Sequence, residues 1–294
     1  MKSIKKLLTL ALASALLFTA CSSGGTNQTS EEKKDDKKTE QTQTADSKTL
    51  IVGASPSPHA EILKSVVPAL EKEGIKLEVK EFTDYIIPNT ALEEKQLDAN
   101  YFQHQPYLDN FQKEHKTHLK SVATIHVEPM AVYSKKIKAL SELADGATVA
   151  IPNDPTNCGR ALILLQSKGI IKLSDQAGLE ATEKDIVENA KNFTFKPVEA
   201  AQLPRILEEV DGAVINGNYA IESSLVPTTD ALLLTATGED RVLEGSESPY
   251  ANIITTREDN KDSEAVKKLV EVLQSEDVKA FIAEHYNGGV VPAF

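Results

Sequence analysis

The chain has 294 residues, 40% hydrophobic and 26% charged, which is enough apolar material for one large or two medium cores. Its 32 basic and 44 acidic side chains leave a formal charge of −12, and an acidic surface repels phosphate backbones, so nucleic-acid binding is excluded. Two cysteines, Cys21 and Cys158, without a Cys-X-X-Cys spacing exclude a disulfide framework, and a body of this size does not depend on one.

The first 20 residues read as a processing segment. Met1 to Lys6 is basic, Leu7 to Phe18 is apolar, and Thr19-Ala20 leads into Cys21. The apolar run is short of the ~20 residues that a membrane span needs. Thr-Ala-Cys resembles a bacterial lipobox, in which the cysteine thiol is acylated and becomes the first residue of the mature chain. Residues 22–48 contain no Val, Ile, Leu, Met, Phe, Tyr or Trp and carry the charge run Glu31 to Lys38. Such a stretch buries too little surface to offset its ordering entropy, so residues 21–48 are expected to form a lipidated tether. One acyl chain anchors weakly, so two or more are expected on Cys21.

From Thr49 onward strands and helices alternate. Strands are predicted at Thr49–Gly53, Lys76–Phe82, Ala99–Phe102, Ala147–Pro152, Phe193–Pro197, Gly212–Asn216 and Ala251–Thr256, with one long extended stretch at Val122–Tyr133. Helices are predicted at Pro58–Lys72, Asn89–Leu97, Gln105–His115, Cys158–Lys168, Leu203–Glu209, Ser263–Val272 and Ser275–Glu284. This order implies an α/β fold with mainly parallel sheets, and about 245 ordered residues favour two domains. Ligands of open α/β sheets sit beyond the carboxyl ends of the strands. The loops after Gly53, Phe82, Phe102, Pro152 and Asn216 are therefore the candidate site.

Those loops hold the chain's unusual residues. There are seven Tyr, eight Phe and no Trp, and six of these rings fall between Phe82 and Phe111. Tyr101, Phe102, His104 and Tyr107 gather at a strand-to-helix turn and suit an apolar pocket with polar tips, although some rings, Phe111 above all, are expected in the core. Aromatic walls would suit a thioether. In Ile151-Pro-Asn-Asp-Pro-Thr-Asn-Cys-Gly-Arg160 a turn opens a helix near Thr156, where free N–H groups favour an anion. Arg160 suits a ligand carboxylate, or else a structural carboxylate such as Asp154; position alone leaves both open. Asn216 and Asn252 offer amides near strand ends. The six His residues (59, 104, 115, 118, 126, 285) are scattered; only His115 and His118 stand at metal-ligand spacing, on what reads as a solvated stretch, and a metal site needs three or four convergent ligands, so no metal is expected. No signature supports Cys158 as a nucleophile with His104, and no catalytic residue, cofactor or ATP-binding loop is read from the chain.

Gly53-Ala-Ser-Pro-Ser-Pro-His-Ala-Glu61, Phe82-Thr-Asp-Tyr85 with Pro88-Asn89, Asn100-Tyr-Phe-Gln-His104, Glu128-Pro-Met, Ile151-Pro-Asn-Asp154, Gly159-Arg-Ala-Leu162, Ser248-Pro-Tyr250 and Asn287-Gly-Gly289 together resemble the methionine-binding lipoproteins of the NlpA family. The resemblance runs from about Leu50 to the C-terminus. It implies a two-lobed, periplasmic-binding-protein-like α/β fold (type II) with the ligand in the interlobe cleft. Lobe one would comprise residues 49–125 and 257–294, and lobe two residues 126–256. Tyr85, Phe102, His104 and Tyr107 would enclose the ligand side chain, Arg160 would hold its carboxylate, and Asn157, Asn216 and Asn252 would hold carboxylate or ammonium. The implied partners are methionine or a related small molecule and an ABC permease with its ATPase. The implied location is the extracytoplasmic face of the cell membrane, reached through the lipid on Cys21. A lipoprotein for a metal ion or another solute is the alternative.

Overall fold

The computed structural model describes residues 48–244 and 249–294. The signal segment, Cys21, nearly all of the tether and Ser248 lie outside the described residues. Among the described residues no helix is long and apolar enough to cross a membrane.

In chain order, strand β1 (Lys48–Ala54) leads through a short turn into helices α1 (Glu61–Ser65) and α2 (Val67–Lys72), then β2 (Ile75–Glu81). Next come α3 (Ile87–Glu93), β3 (Ala99–His104), α4 (Gln105–His115), β4 (Leu119–Val127) and β5 (Ala131–Tyr133). After these follow β6 (Thr148–Pro152), α5 (Pro155–Ser167), the small pair β7 (Lys172–Leu173) and β8 (Ile186–Glu188), β9 (Thr194–Val198) and β10 (Gly212–Ile215). The chain closes with α6 (Gly217–Glu222), α7 (Pro227–Asp230), β11 (Asn252–Arg257), α8 (Glu264–Leu273), α9 (Glu276–His285) and β12 (Val291–Pro292).

Two main sheets result. One has six strands in the order β12-β4-β11-β3-β1-β2, and the other has four in the order β5-β10-β6-β9. The first is built on a parallel β2-β1-β3 block, with β11 antiparallel to both β3 and β4. Its core packs Leu50, Val52 and Ile254 against Ile62, Leu63, Leu70, Leu269, Leu273 and Ile282, the apolar faces of the helices. The second carries Val149, Ile151 and Val214 against Leu162 and Leu165 of α5 on one face. On its other face Ala213 and Ile215 pack against Leu203, Leu207 and Tyr219. Each sheet is thus covered by helices, as strand–helix alternation requires.

Four sequence expectations change. The long extended stretch divides: β4 pairs in the first sheet and β5 in the second, and Glu128-Pro129-Met130 crosses between them. The strand Asn252–Arg257 belongs to the first sheet, not to lobe two, because it fills the gap between β3 and β4. The return crossing therefore precedes Asn252. The helix predicted at Pro58–Lys72 breaks at Val66, since Pro68 in the first turn of α2 has no N–H to continue the ladder. The segment predicted as a helix at Leu203–Glu209 is instead a tighter 3-10 run at Ala200–Ile206 with Pro204 inside it.

Both crossings are stitched together. Met130 N–H donates to Glu244 Oε2 at 3.0 Å, Glu244 N–H donates to Met130 O at 2.9 Å, and Ala131 bridges Leu243.

Candidate functional site

Two helix starts face each other where the sheets' carboxyl edges meet. His104 caps α4: it has extended backbone, and its Nδ1 accepts from Tyr107 N–H at 3.1 Å. Asp154 caps α5, with Oδ1 accepting from Asn157 N–H at 3.0 Å. Pro106 and Pro155 follow their caps, where a missing N–H costs nothing. Asp154 is therefore occupied as a cap and is not the partner of Arg160.

Between these helix starts lies a narrow cleft whose non-atom space, open solvent included, is about 310 Å³. All eight predicted residues line it: Tyr85, Phe102, His104, Tyr107, Asn157, Arg160, Asn216 and Asn252. Gln103, Glu128, Gly217 and Asn218 complete the wall. Tyr85 sits over Phe102 and Tyr107 with ring centres 5.9 and 5.7 Å away, and Tyr219 closes its other side at 5.0 Å. Phe111, as expected, packs behind this wall. Tyr101, expected in the pocket, instead lies in the core of the first sheet, because its side chain alternates to the opposite face of β3 from Phe102. Tyr85 Oη donates to Asn218 Oδ1 at 2.5 Å, and Tyr107 Oη donates to Tyr85 O at 2.9 Å, so the rings have fixed orientations.

One chain of hydrogen bonds settles which way each amide points. Because His104 Nδ1 accepts a backbone proton, its Nε2 carries the proton and donates to Asn157 Oδ1 at 3.1 Å. Asn157 Nδ2 turns the other way and donates to both Asp154 oxygens. Asn216 Nδ2 donates to the same Asn157 oxygen at 2.8 Å, which leaves Asn216 Oδ1 buried without a partner. Asn252 is the opposite case: its Oδ1 accepts from His59 Nε2 at 3.0 Å, so its Nδ2 is the end left over. The cleft thus presents an acceptor at Asn216 and a donor at Asn252. Burial and the nearby Arg160 push His104 down to about 3, which keeps it neutral.

Arg160 is buried and makes a two-bond pair with Glu244, Nε to Oε1 at 2.8 Å and Nη2 to Oε2 at 2.6 Å. Nη2 also donates to the Glu128 carbonyl at 2.9 Å, and the Tyr250 ring covers the guanidinium carbon at 4.5 Å. No hydrogen bond of Nη1 exists among the described residues. Glu244 and the buried Asp154, Glu128 and Arg160 show why position in the sequence left the pairing of Arg160 open. Its structural partner comes from 84 residues away.

His59, His126 and Glu128 also converge, with one ligand atom from each within 4.8 Å of the others. The separated histidines of the sequence are here brought together. Their contacts are those of a hydrogen-bonded cluster. His126 Nε2 reaches Glu128 Oε1 at 2.6 Å and His59 Nε2 reaches it at 3.1 Å, while Tyr101 Oη meets His126 Nδ1. Both Nε2 atoms face oxygen acceptors, so in this hydrogen-bonded arrangement both carry the ring proton. Burial pushes His59 down to about 4 and His126 to about 3, and it pushes the Glu128 carboxyl up, against the pull of His59 and Arg160. His115 and His118 are exposed. Cys158 is free and buried, and burial pushes its thiol up to about 12, far from a nucleophile's range.

The family model for the NlpA lipoproteins matches residues 50–294. The chain belongs to the NlpA lipoprotein family. Among NlpA relatives, the D-methionine-binding lipoprotein MetQ of Salmonella typhimurium is 48% identical over 82% of this chain and 86% of its own length. MetQ of Escherichia coli K12 is 47% identical over the same shares. A nutrient binding protein from Burkholderia cenocepacia, solved bound to methionine, superposes with a TM-score of 0.78 at 46% identity. That match covers 83% of this chain and all of the other. The methionine binding protein MetQ, also solved, gives a TM-score of 0.78 at 44% identity, over 84% of this chain and 98% of its own. The NlpA fold is accordingly two-lobed, one lobe on each sheet.

The sequence does not single out Glu128, Gln103 or Glu244. Glu128 stands in a quoted family motif, but a lone Glu-Pro dipeptide carries no chemistry until a fold buries it. Nothing in the sequence marks Glu244.

Proposed function

We propose that this chain is a lipid-anchored binding protein that captures methionine and hands it to an ABC importer. The observation that carries this reading is the polarity of the cleft. Its lining offers donors (Arg160 Nη1 and Asn252 Nδ2), an unpaired acceptor (Asn216 Oδ1) and the Glu128 carboxylate, which also meets His59 and His126, beside an aromatic wall. An α-amino acid has this pattern of carboxylate, ammonium and tail. Arg160 and Asn252 would hold the carboxylate, with two helix N-termini adding positive field. Asn216 and Glu128 would hold the ammonium. Tyr85, Phe102, His104 and Tyr107 would enclose the tail, where a thioether gains ~0.3–1.5 kcal/mol per aromatic contact. Asn157, with its oxygen already shared by His104 and Asn216, would position both.

The names of the relatives, which are methionine-binding lipoproteins, support the ligand class. A ligand that touches both lobes favours the closed form by its differential contacts, and the closed form would dock on the permease. Acylation of Cys21 and a polar tether would hold the body at the extracytoplasmic membrane face. Nothing in this reading requires catalysis.

The test is calorimetry of the full-length chain with L-methionine, D-methionine and leucine, alongside equilibrium dialysis against zinc and manganese. Saturable one-to-one methionine binding is expected, with leucine weaker. Tight metal uptake with no response to methionine would favour the His59–His126–Glu128 cluster as the site and overturn the proposal.

A further inference from the structure

A buried guanidinium with nothing beside it would attract any small carboxylate. Arg160 is not in that situation. Glu244 occupies its Nε–Nη2 edge through two hydrogen bonds and is itself fixed by Met130 N–H. The second Nη2 proton goes to the Glu128 carbonyl. Only Nη1 is left for a ligand, and the positive charge behind it already has a counter-ion.

The other titratable groups around the cleft add no positive charge. His104 is neutral, Glu128 and Asp154 are carboxyl groups, and the phenols of Tyr85 and Tyr107 are pushed upward by burial. A lone carboxylate would therefore give up its hydration for a site with no net positive charge. A zwitterion brings its own cation, and the unpaired Asn216 Oδ1 and the Glu128 carboxylate line the cleft that would receive it.

We propose that Glu244 is a positioning residue that sets ligand specificity: by neutralising Arg160, it makes the cleft demand an ammonium group as well as a carboxylate. This rests on the amino-acid reading above and adds to it the exclusion of 2-oxo and 2-hydroxy acids carrying the same tail. Glu244 touches the guanidinium and not the ligand. It also lies on the return crossing between the lobes, paired with Met130 on the outward one, so the guanidinium is anchored to both crossings.

The experiment compares wild type with Glu244→Gln by calorimetry of the full-length chain against methionine and 4-methylthio-2-oxobutanoate, which has the same carboxylate and tail but a carbonyl oxygen in place of the ammonium. Gln keeps the length and an acceptor oxygen for Met130 N–H. Wild type is expected to prefer methionine by about 100-fold or more. Glu244→Gln is expected to shrink that ratio by about tenfold or more, through a gain for the oxo acid. Glu244→Asp, which keeps the charge, is expected to hold the wild-type ratio. If Glu244→Gln does not fold, Glu244→Ser, with room for a water, reads the same ratio. A ratio unchanged on removal of the charge overturns the proposal, as does a ratio that falls equally in Glu244→Asp. A wild-type chain that binds no methionine overturns the functional reading and this proposal with it. Methionine binding with an unchanged ratio removes only the role of Glu244.

Discussion

His104 Nε2 donates to Asn157 Oδ1 at 3.1 Å, joining the residue that caps α4 in one lobe to the first turn of α5 in the other. The bond brings two helix N-termini onto one cleft and fixes the amide of Asn157, which in turn fixes that of Asn216. A single cross-lobe contact thereby decides which atoms remain for a ligand.

Arg160 has two partners to lose. Arg160→Ala is expected to abolish methionine binding and also to destabilise the fold, because Glu244 and the Glu128 carbonyl lose their donor. Breaking a buried pair by removing one partner costs about 3–5 kcal/mol. The double variant Arg160→Gln with Glu244→Gln is expected to recover most of the thermal stability but not the affinity. Denaturant titration and calorimetry read the two effects separately. Methionine binding at wild-type strength in the double variant would remove Arg160 from the site.

Asn216 contributes an unpaired acceptor. Asn216→Ala is expected to weaken methionine binding by about 1.5–3 kcal/mol, the usual worth of a hydrogen bond to a charged group. The oxo acid, having no ammonium, is expected to lose much less. Equal losses for both ligands would mean that Asn216 acts only through Asn157.

Acid is expected to destabilise the chain. His59, His104 and His126 lie at about 4, 3 and 3, below the free imidazole value of 6.5. Between those values the unfolded chain binds more protons than the folded one. The stability contributed by the neutral rings is therefore complete above about pH 6.5 and is lost as pH falls towards 4 to 3. Each ring costs about 1.4 kcal/mol per pH unit in that window. Glu128, raised by burial, works in the opposite direction and offsets part of this. The melting temperature is expected to fall by several degrees between pH 7 and pH 5; a flat profile would show that these rings are not held neutral.

Cys158 is expected to stay inert. Its thiol is buried and raised to about 12, so iodoacetamide at pH 8 is expected to spare it in the native chain and label it after unfolding. Peptide mass mapping of the residue measures this. Rapid native labelling would reopen a nucleophilic role.

Much of the body was legible in the sequence because its signals are local. The helix Gln105–His115 begins and ends where predicted, since Pro106 in its first turn and Lys116 at φ 58° in the left-handed region mark both ends within the chain itself. Phe102, His104, Tyr107, Arg160, Asn216 and Asn252 stand out because loops at strand ends carry unusual residue types, Tyr85 and Asn157 enter through the family resemblance, and all eight line one cleft. Glu128 was quoted for its motif but assigned no role, and Glu244 was invisible. A carboxylate acquires a function only when folding desolvates it beside a partner, and for Glu244 that partner is 84 residues away.

The sequence by itself determined the α/β class, the order of most elements and the residue types available to the cleft, because periodicity, caps and turn residues act over a few positions. Only the tertiary structure decided that Asn252–Arg257 sits between β3 and β4 and that β4 and β5 part company at Glu128. It alone decided that Arg160 meets Glu244 and that Asn216 offers oxygen where Asn252 offers nitrogen. These depend on which distant groups share a buried space. There each donor must find an acceptor, and the atom left unpaired becomes the one available to a ligand.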